Sequence, residues 1–196
     1  MSTFQKGKWK RYPYTESFGD GGRGKCVAQI DENVMLLAGA KVSYDGQMAY
    51  KYNFTEDTWT QLKDLPESKE YISCAGFTAA NGKRKILIQG GRENSNGDAL
   101  SKTGFIYDAD TDTYEDSPDA PFLSGGLGVV PAKYLPLDQA SDGDRVFHFS
   151  GQSLDEEFSI KTHEYHYGEA EPWSALPYVS IDECQLLTAI PYNLYE

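Results

Sequence analysis

A chain of 196 residues with 18 Lys and Arg against 30 Asp and Glu carries a formal charge of -12. A field of that sign repels phosphate backbones and anionic bilayers, so neither nucleic acid nor membrane is expected as a partner. No stretch approaches the ~20 consecutive apolar residues of a membrane-spanning helix, and the acidity serves to keep a tyrosine-rich chain in solution.

Taken from the N-terminus, MSTFQKGKWKRYP lacks the apolar core of a signal peptide, which predicts a cytoplasmic protein unless a leader has been removed. WKRYP from Trp9 predicts an outer strand near residues 7–13. GKCVAQI from Gly24 and VMLLAGA from Val34 then predict two strands around the turn Asp31-Glu32-Asn33. A polar loop, a strand carrying Tyr52, a second aromatic at Trp59 and the step WTQLKDLP follow. The same order recurs with SCAGFTA, the two-residue turn Asn81-Gly82, KILIQGG, Tyr107, Tyr114 and YEDSPDAP. It recurs again with Asp142-Gly143, RVFHFSG, Tyr165, Trp173 and WSALPY, and ECQLLTA from Glu183 predicts one more inner strand near 182–193. Gly39, Gly90 and Gly151, which end the apolar strands, are 51 and 61 residues apart. Short aromatic and β-branched runs divided by Asn, Asp and Gly are hairpin chemistry, and no segment carries a helical period.

The glycine after each apolar strand, the pair Gly90-Gly91, the dipeptide Tyr107-Asp108 and the downstream tryptophans resemble the kelch repeat. Ala40 and Gln152 stand where the other two units would carry a second glycine. In the kelch family each unit is one four-stranded blade of a β-propeller. The resemblance implies a single all-β domain over 1–196, an incomplete or half propeller with blades at 24–66, 69–121 and 122–178. Propellers usually close with four to eight blades. A homodimer completing one ring is therefore expected, ahead of a distorted four-blade ring or a piece of a longer chain.

Cys26, Cys74 and Cys184 occupy equivalent places in the strand that opens a unit, and they show no CxxC spacing. Ring geometry is expected to hold equivalent positions beyond the ~7 Å Cα separation a disulfide tolerates. They read as buried thiols in a reducing compartment.

In a propeller, rigid strands position and loops contact. The loops of one face are 41–47, 92–102 and 152–159, joined by 13–24 and 118–126. Tyr14, Arg23, Tyr44, Arg92 and Asn94 are the candidate binding residues among them, because Arg and Tyr bury large areas with directional polar ends. The acidic run from Asp108 lacks the sixth-position glycine and twelfth-position glutamate of a calcium loop, and reads as a turn. His163 and His166, three apart in a strand, face opposite ways. No metal, cofactor or nucleophile–base pair is expected, and neither the copper site of kelch-containing oxidases nor the iron site of kelch specifier proteins has matching residues. GDGGRG and SGGLG read as turns, and the sequon Asn53-Phe54-Thr55 matters only in a secreted chain. The expected function is a non-enzymatic module binding a protein or peptide, with basic residues on the partner. A small apolar ligand, pigment or lipid, held at a blade or dimer seam is the second expectation, and an enzyme with an unrecognised site the third.

Overall fold

In the computed structural model, residues 2–5, 8–11, 24–39, 46–93, 100–121, 128–131, 145–149 and 162–176 are described, and every regular element within them is a strand. β1 (Ser2–Gln5) pairs antiparallel with β2 (Lys8–Arg11) in a hairpin of its own. The first four-stranded sheet follows, built from β3 (Cys26–Asp31), β4 (Val34–Ala38), β5 (Ala49–Asn53) and β6 (Thr58–Gln61) in sequence order. β7 (Lys69–Glu70) precedes the second sheet, which consists of β8 (Ser73–Thr78), β9 (Arg84–Gln89), β11 (Gly104–Asp108) and β12 (Thr113–Ser117). β10 (Arg92–Glu93) leaves that sheet to pair with β7. The third sheet is β13 (Gly128–Pro131), β14 (Arg145–Phe149), β15 (Thr162–His166) and β16 (Trp173–Ala175). Each is an antiparallel meander, the arrangement that short turns between neighbouring strands allow. Asn81-Gly82 makes the turn between β8 and β9, with Gly82 at φ +79° and the Asn81 side chain accepting from Lys83 N at 3.0 Å.

The core lies between sheets. Ala28, Leu36 and Ala38 of the first sheet meet Cys74, Ile86, Ile88 and Tyr107 of the second. Ala75, Phe77, Leu87 and Ile106 of the second meet Val146 and Tyr165 of the third. The second sheet is thus covered on both faces, and all five residues of β11 are buried. A strand buried on both faces needs no polar alternation, which explains the unbroken run Lys85–Gln89 in β9. Each fully buried Ile or Leu there contributes about 1.5–3 kcal/mol relative to exposure.

One cross-strand aromatic pair recurs in each of the three four-stranded sheets. Tyr52 faces Trp59, Tyr107 faces Tyr114 and Tyr165 faces Trp173, with ring centroids 4.7, 5.0 and 4.9 Å apart. The turn between the two strands of each pair contains one left-handed residue: Asp57 at φ +54°, Asp112 at +53° and Gly168 at +86°. Tyr52 donates its hydroxyl to Asp57, and Tyr107 donates to Asp112 at 3.0 Å. Burial and that hydrogen bond push the Tyr107 phenol well up.

The thiol expectation for Cys26 and Cys74 is overturned: the two form a disulfide, with Cα atoms 5.7 Å apart. The cause is the way successive inner strands converge. β3 and β8 run so close that a Cβ at Gly76 would collide with the backbone carbonyl of Gln29, so equivalent positions approach each other there. Cys184 and the inner strand expected at 182–193 lie outside the described residues. Among those described, no helix is long and apolar enough to cross a membrane.

Candidate functional site

The ends of the sheets opposite the left-handed aspartates are fastened together by the short ribbon of β7 and β10. Its register pairs Arg92 with Glu70 and Glu93 with Lys69. Gly39 (φ +75°) and Gly91 (φ +91°), which follow β4 and β9, the second strands of their sheets, make the ribbon possible. A Cβ at Gly91 would lie 2.7 Å from the Glu70 carbonyl oxygen, and one at Gly39 would lie 2.7 Å from Ile72 Cδ1. At Gly39 and Gly91, therefore, the 69–72 segment passes too close for a side chain.

Lys69 anchors the ribbon from beneath. It is fully buried, and its ammonium donates to Thr103 Oγ1 at 2.6 Å, Ser101 Oγ at 3.0 Å and the Thr103 carbonyl at 3.3 Å. Glu67 lies 3.6 Å away as counter-ion. A buried cation is tolerated when paired and hydrogen-bonded in this way. Lys69 thus binds the 62–72 connection to residues 101–103 and is spoken for structurally.

Above it, the Arg92 guanidinium lies over the Tyr71 ring, 5.3 Å from its centroid. Tyr71 sits at φ +56°, a region that bulky side chains rarely adopt, and its amide donates to the Gly24 carbonyl at 2.8 Å. Left-handed backbone at a non-glycine costs of order 1–3 kcal/mol and clusters at binding sites. Both Arg92 and Tyr71 are half-buried. The pair offers a planar cation held against an aromatic face, suited to recognising a carboxylate, a carbonyl or another ring.

Of the five binding residues expected from sequence, Arg92 is the one the structure describes; Tyr14, Arg23, Tyr44 and Asn94 lie outside the described residues. Tyr71 escaped the sequence reading because nothing local in SKEYIS marks a strained tyrosine. The contact with Arg92 spans 21 positions of chain and exists only once β7 and β10 pair.

Two further charged features belong to other parts of the sheets. Within the second sheet Lys85 lies 2.9 Å from Glu115 and 3.5 Å from Asp108, and Tyr167, from a turn of the third sheet, donates to Glu115 at 2.8 Å and places its ring 5.0 Å from the Lys85 ammonium. Burial alone would lower the Lys85 ammonium, but the hydrogen bonds to Glu115 and Tyr167 raise it above its ordinary value. Burial likewise opposes the charge on Glu115, and the Lys85 and Tyr167 hydrogen bonds overcome it and lower that carboxyl. Asp108 is lowered too, against its own burial, by the Asp110 amide first and then by Lys85. At the edge opposite the β7–β10 ribbon, an open cleft of about 590 Å³ is lined by Asp31, Asn33, Asn53, Thr55, Glu56 and Arg84, among others. Arg84 there pairs with Asp31 at 2.7 Å.

The chain matches no family model and no curated protein sequence. Its structure is similar to that of YjhT, with a TM-score of 0.60 at 17% sequence identity over 90% of this chain. The likeness is one of fold, and this chain spans 57% of the length of the YjhT chain.

Proposed function

We propose that the three sheets are kelch-type propeller blades and that the chain is a non-enzymatic binding module, which takes a protein or peptide on the face built by the β7–β10 ribbon. Four-stranded meanders, a core at each seam between successive sheets and one aromatic pair per sheet favour the blade reading. A second copy supplies the remaining blades, so light scattering on a sizing column is expected to give twice the 21.8 kDa chain mass.

The observation that carries the binding reading is the Arg92–Tyr71 pair. Strained backbone, a stacked guanidinium and a loop locked from below by Lys69 together describe a pre-organised anchor. The acidic chain draws basic residues toward it at long range, while Arg92 supplies the local contact. The apolar-ligand reading draws little support from the described residues, since the two clefts at the junction of the first and second sheets, about 590 and 360 Å³, are lined largely by polar side chains such as Asp31, Asn53, Glu56 and Arg84.

Selection from a random displayed-peptide library against the immobilised chain tests the proposal. Peptides so enriched are expected to bind Arg92→Ala about tenfold or more weakly, a loss of about 1.4 kcal/mol, and to bind Arg84→Ala unchanged. Equal binding to wild type and Arg92→Ala would place the site elsewhere.

A further inference from the structure

We propose that Asn53 is an N-glycan acceptor and that the chain matures in an oxidising secretory compartment. Two independent observations meet here: a sequon at a surface turn, its Asn53 half-buried and its Thr55 exposed, with the Asn53 nitrogen unused among the described residues, and a disulfide between two sheets.

Asn53 closes β5 and opens the turn to β6. Its Oδ1 accepts from Thr55 N at 2.9 Å and from Glu56 N at 3.1 Å, an Asx turn. Asp108 makes the same turn in the second sheet, its Oδ1 accepting from Asp110 N at 3.0 Å and Thr111 N at 3.2 Å. The turn therefore requires only the oxygen. The Asn53 nitrogen is surplus to it, and among the described residues it donates no hydrogen bond. Thr55, the hydroxyl residue of the sequon, is exposed. Asn53 and Thr55 both line the open cleft of about 590 Å³, which gives room for a first sugar beside the hydrogen-bonding groups of Asp31, Asn33 and Arg84. A sequon on an accessible turn is the context in which the motif carries meaning.

The disulfide supplies the compartment. Cys26–Cys74 bonds form and persist where thiols are kept oxidised. In forming it, the two thiols give two protons and two electrons to the disulfide of an oxidoreductase, which leaves as the dithiol. In the glycosyl transfer, Asn53 Nδ2 attacks the anomeric carbon of an oligosaccharide linked to a lipid pyrophosphate. The carbon–oxygen bond to the pyrophosphate breaks, the lipid pyrophosphate departs with the bonding electron pair, and the nitrogen releases one proton to water.

The test is peptide mapping of the full chain secreted from a eukaryotic cell behind a cleavable leader. Non-reducing digestion is expected to yield Cys26 linked to Cys74, and the peptide containing Asn53 is expected to carry a glycan that peptide-N-glycosidase removes, leaving Asp. Thr55→Ala abolishes the glycan and Thr55→Ser keeps it. Secreted, disulfide-bonded protein with Asn53 unmodified would overturn the acceptor assignment, and free thiols at Cys26 and Cys74 in that protein would overturn the compartment.

Discussion

Arg92 lies over the ring of Tyr71 at 5.3 Å, and Tyr71 holds a left-handed backbone, φ +56°, to be there. Strain kept for function is recognisable by separating stability from binding. Tyr71→Gly relieves the backbone at the loss of a half-buried ring. It is expected to change the unfolding free energy by no more than about 1 kcal/mol, while the affinity of a library-selected peptide falls at least tenfold. Parallel urea unfolding and titration calorimetry read both quantities. Loss of stability with intact binding would make Tyr71 a structural residue.

The Cys26–Cys74 bond closes a loop with a sequence separation of 48 residues, for which the chain-entropy relation gives about 4 kcal/mol. Reduction, or replacement of both cysteines by Ser, is expected to lower stability by about 2–4 kcal/mol in urea unfolding. A midpoint unmoved by reductant would show that the seam between the first two sheets holds without it.

Asp112 accepts from the Tyr107 hydroxyl at 3.0 Å and from Lys63 N at 3.2 Å, so one turn residue ties its own sheet together and ties it to the sheet before. Its φ of +53° adds a second requirement. Asp112→Ala loses the hydrogen bonds and keeps the strain, whereas Asp112→Gly loses only the hydrogen bonds. Thermal unfolding is expected to rank Asp112→Ala below Asp112→Gly by about 1 kcal/mol. The reverse order would exclude backbone strain at this turn.

Much of the fold is visible in the residues themselves. Val34–Ala38 and Ile86–Ile88 announce buried strands by unbroken apolar runs, and Asn81-Gly82 announces its hairpin by backbone chemistry. The spacing between Tyr107 and Tyr114 becomes a cross-strand pair because the six residues between them, turn and strand ends, bring them opposite each other. What escaped depends on contacts between sheets. Cys26 and Cys74 were expected apart, and only the convergence of β3 and β8 puts their Cα atoms 5.7 Å from one another. Lys69 is a residue type found at surfaces; its burial follows from Ser101 and Thr103 of a distant loop. The proposed binding face is legible only as loop composition, which singles out Arg92; its contact with Tyr71 depends on a pairing that no local pattern encodes.

The junction of the second and third sheets is pH-sensitive in a direction fixed by its charges. Asp108 and Glu115 are lowered from ordinary values of 3.8 and 4.5, so their contribution is present above those values and is lost as pH falls through the lower folded ones. Lys85 is raised above 10.5, so its contribution is complete below that value and disappears as pH climbs past it. Trp173, whose indole donates to the Pro118 carbonyl at 3.2 Å across the same junction, reports on it by fluorescence. The urea midpoint is expected to be flat from above 4.5 to 10.5 and to fall on either side. Equal midpoints at about pH 2 and about pH 7 would contradict the assignment.

The most direct test of the binding face is backbone amide hydrogen exchange on the whole chain with and without a library-selected peptide. The proposal requires added protection in residues 69–72, 90–93 and 100–103, where the β7–β10 ribbon carries Arg92 and Tyr71. Protection confined to the turns at 53–57 and 108–112, or none in the ribbon, would contradict it.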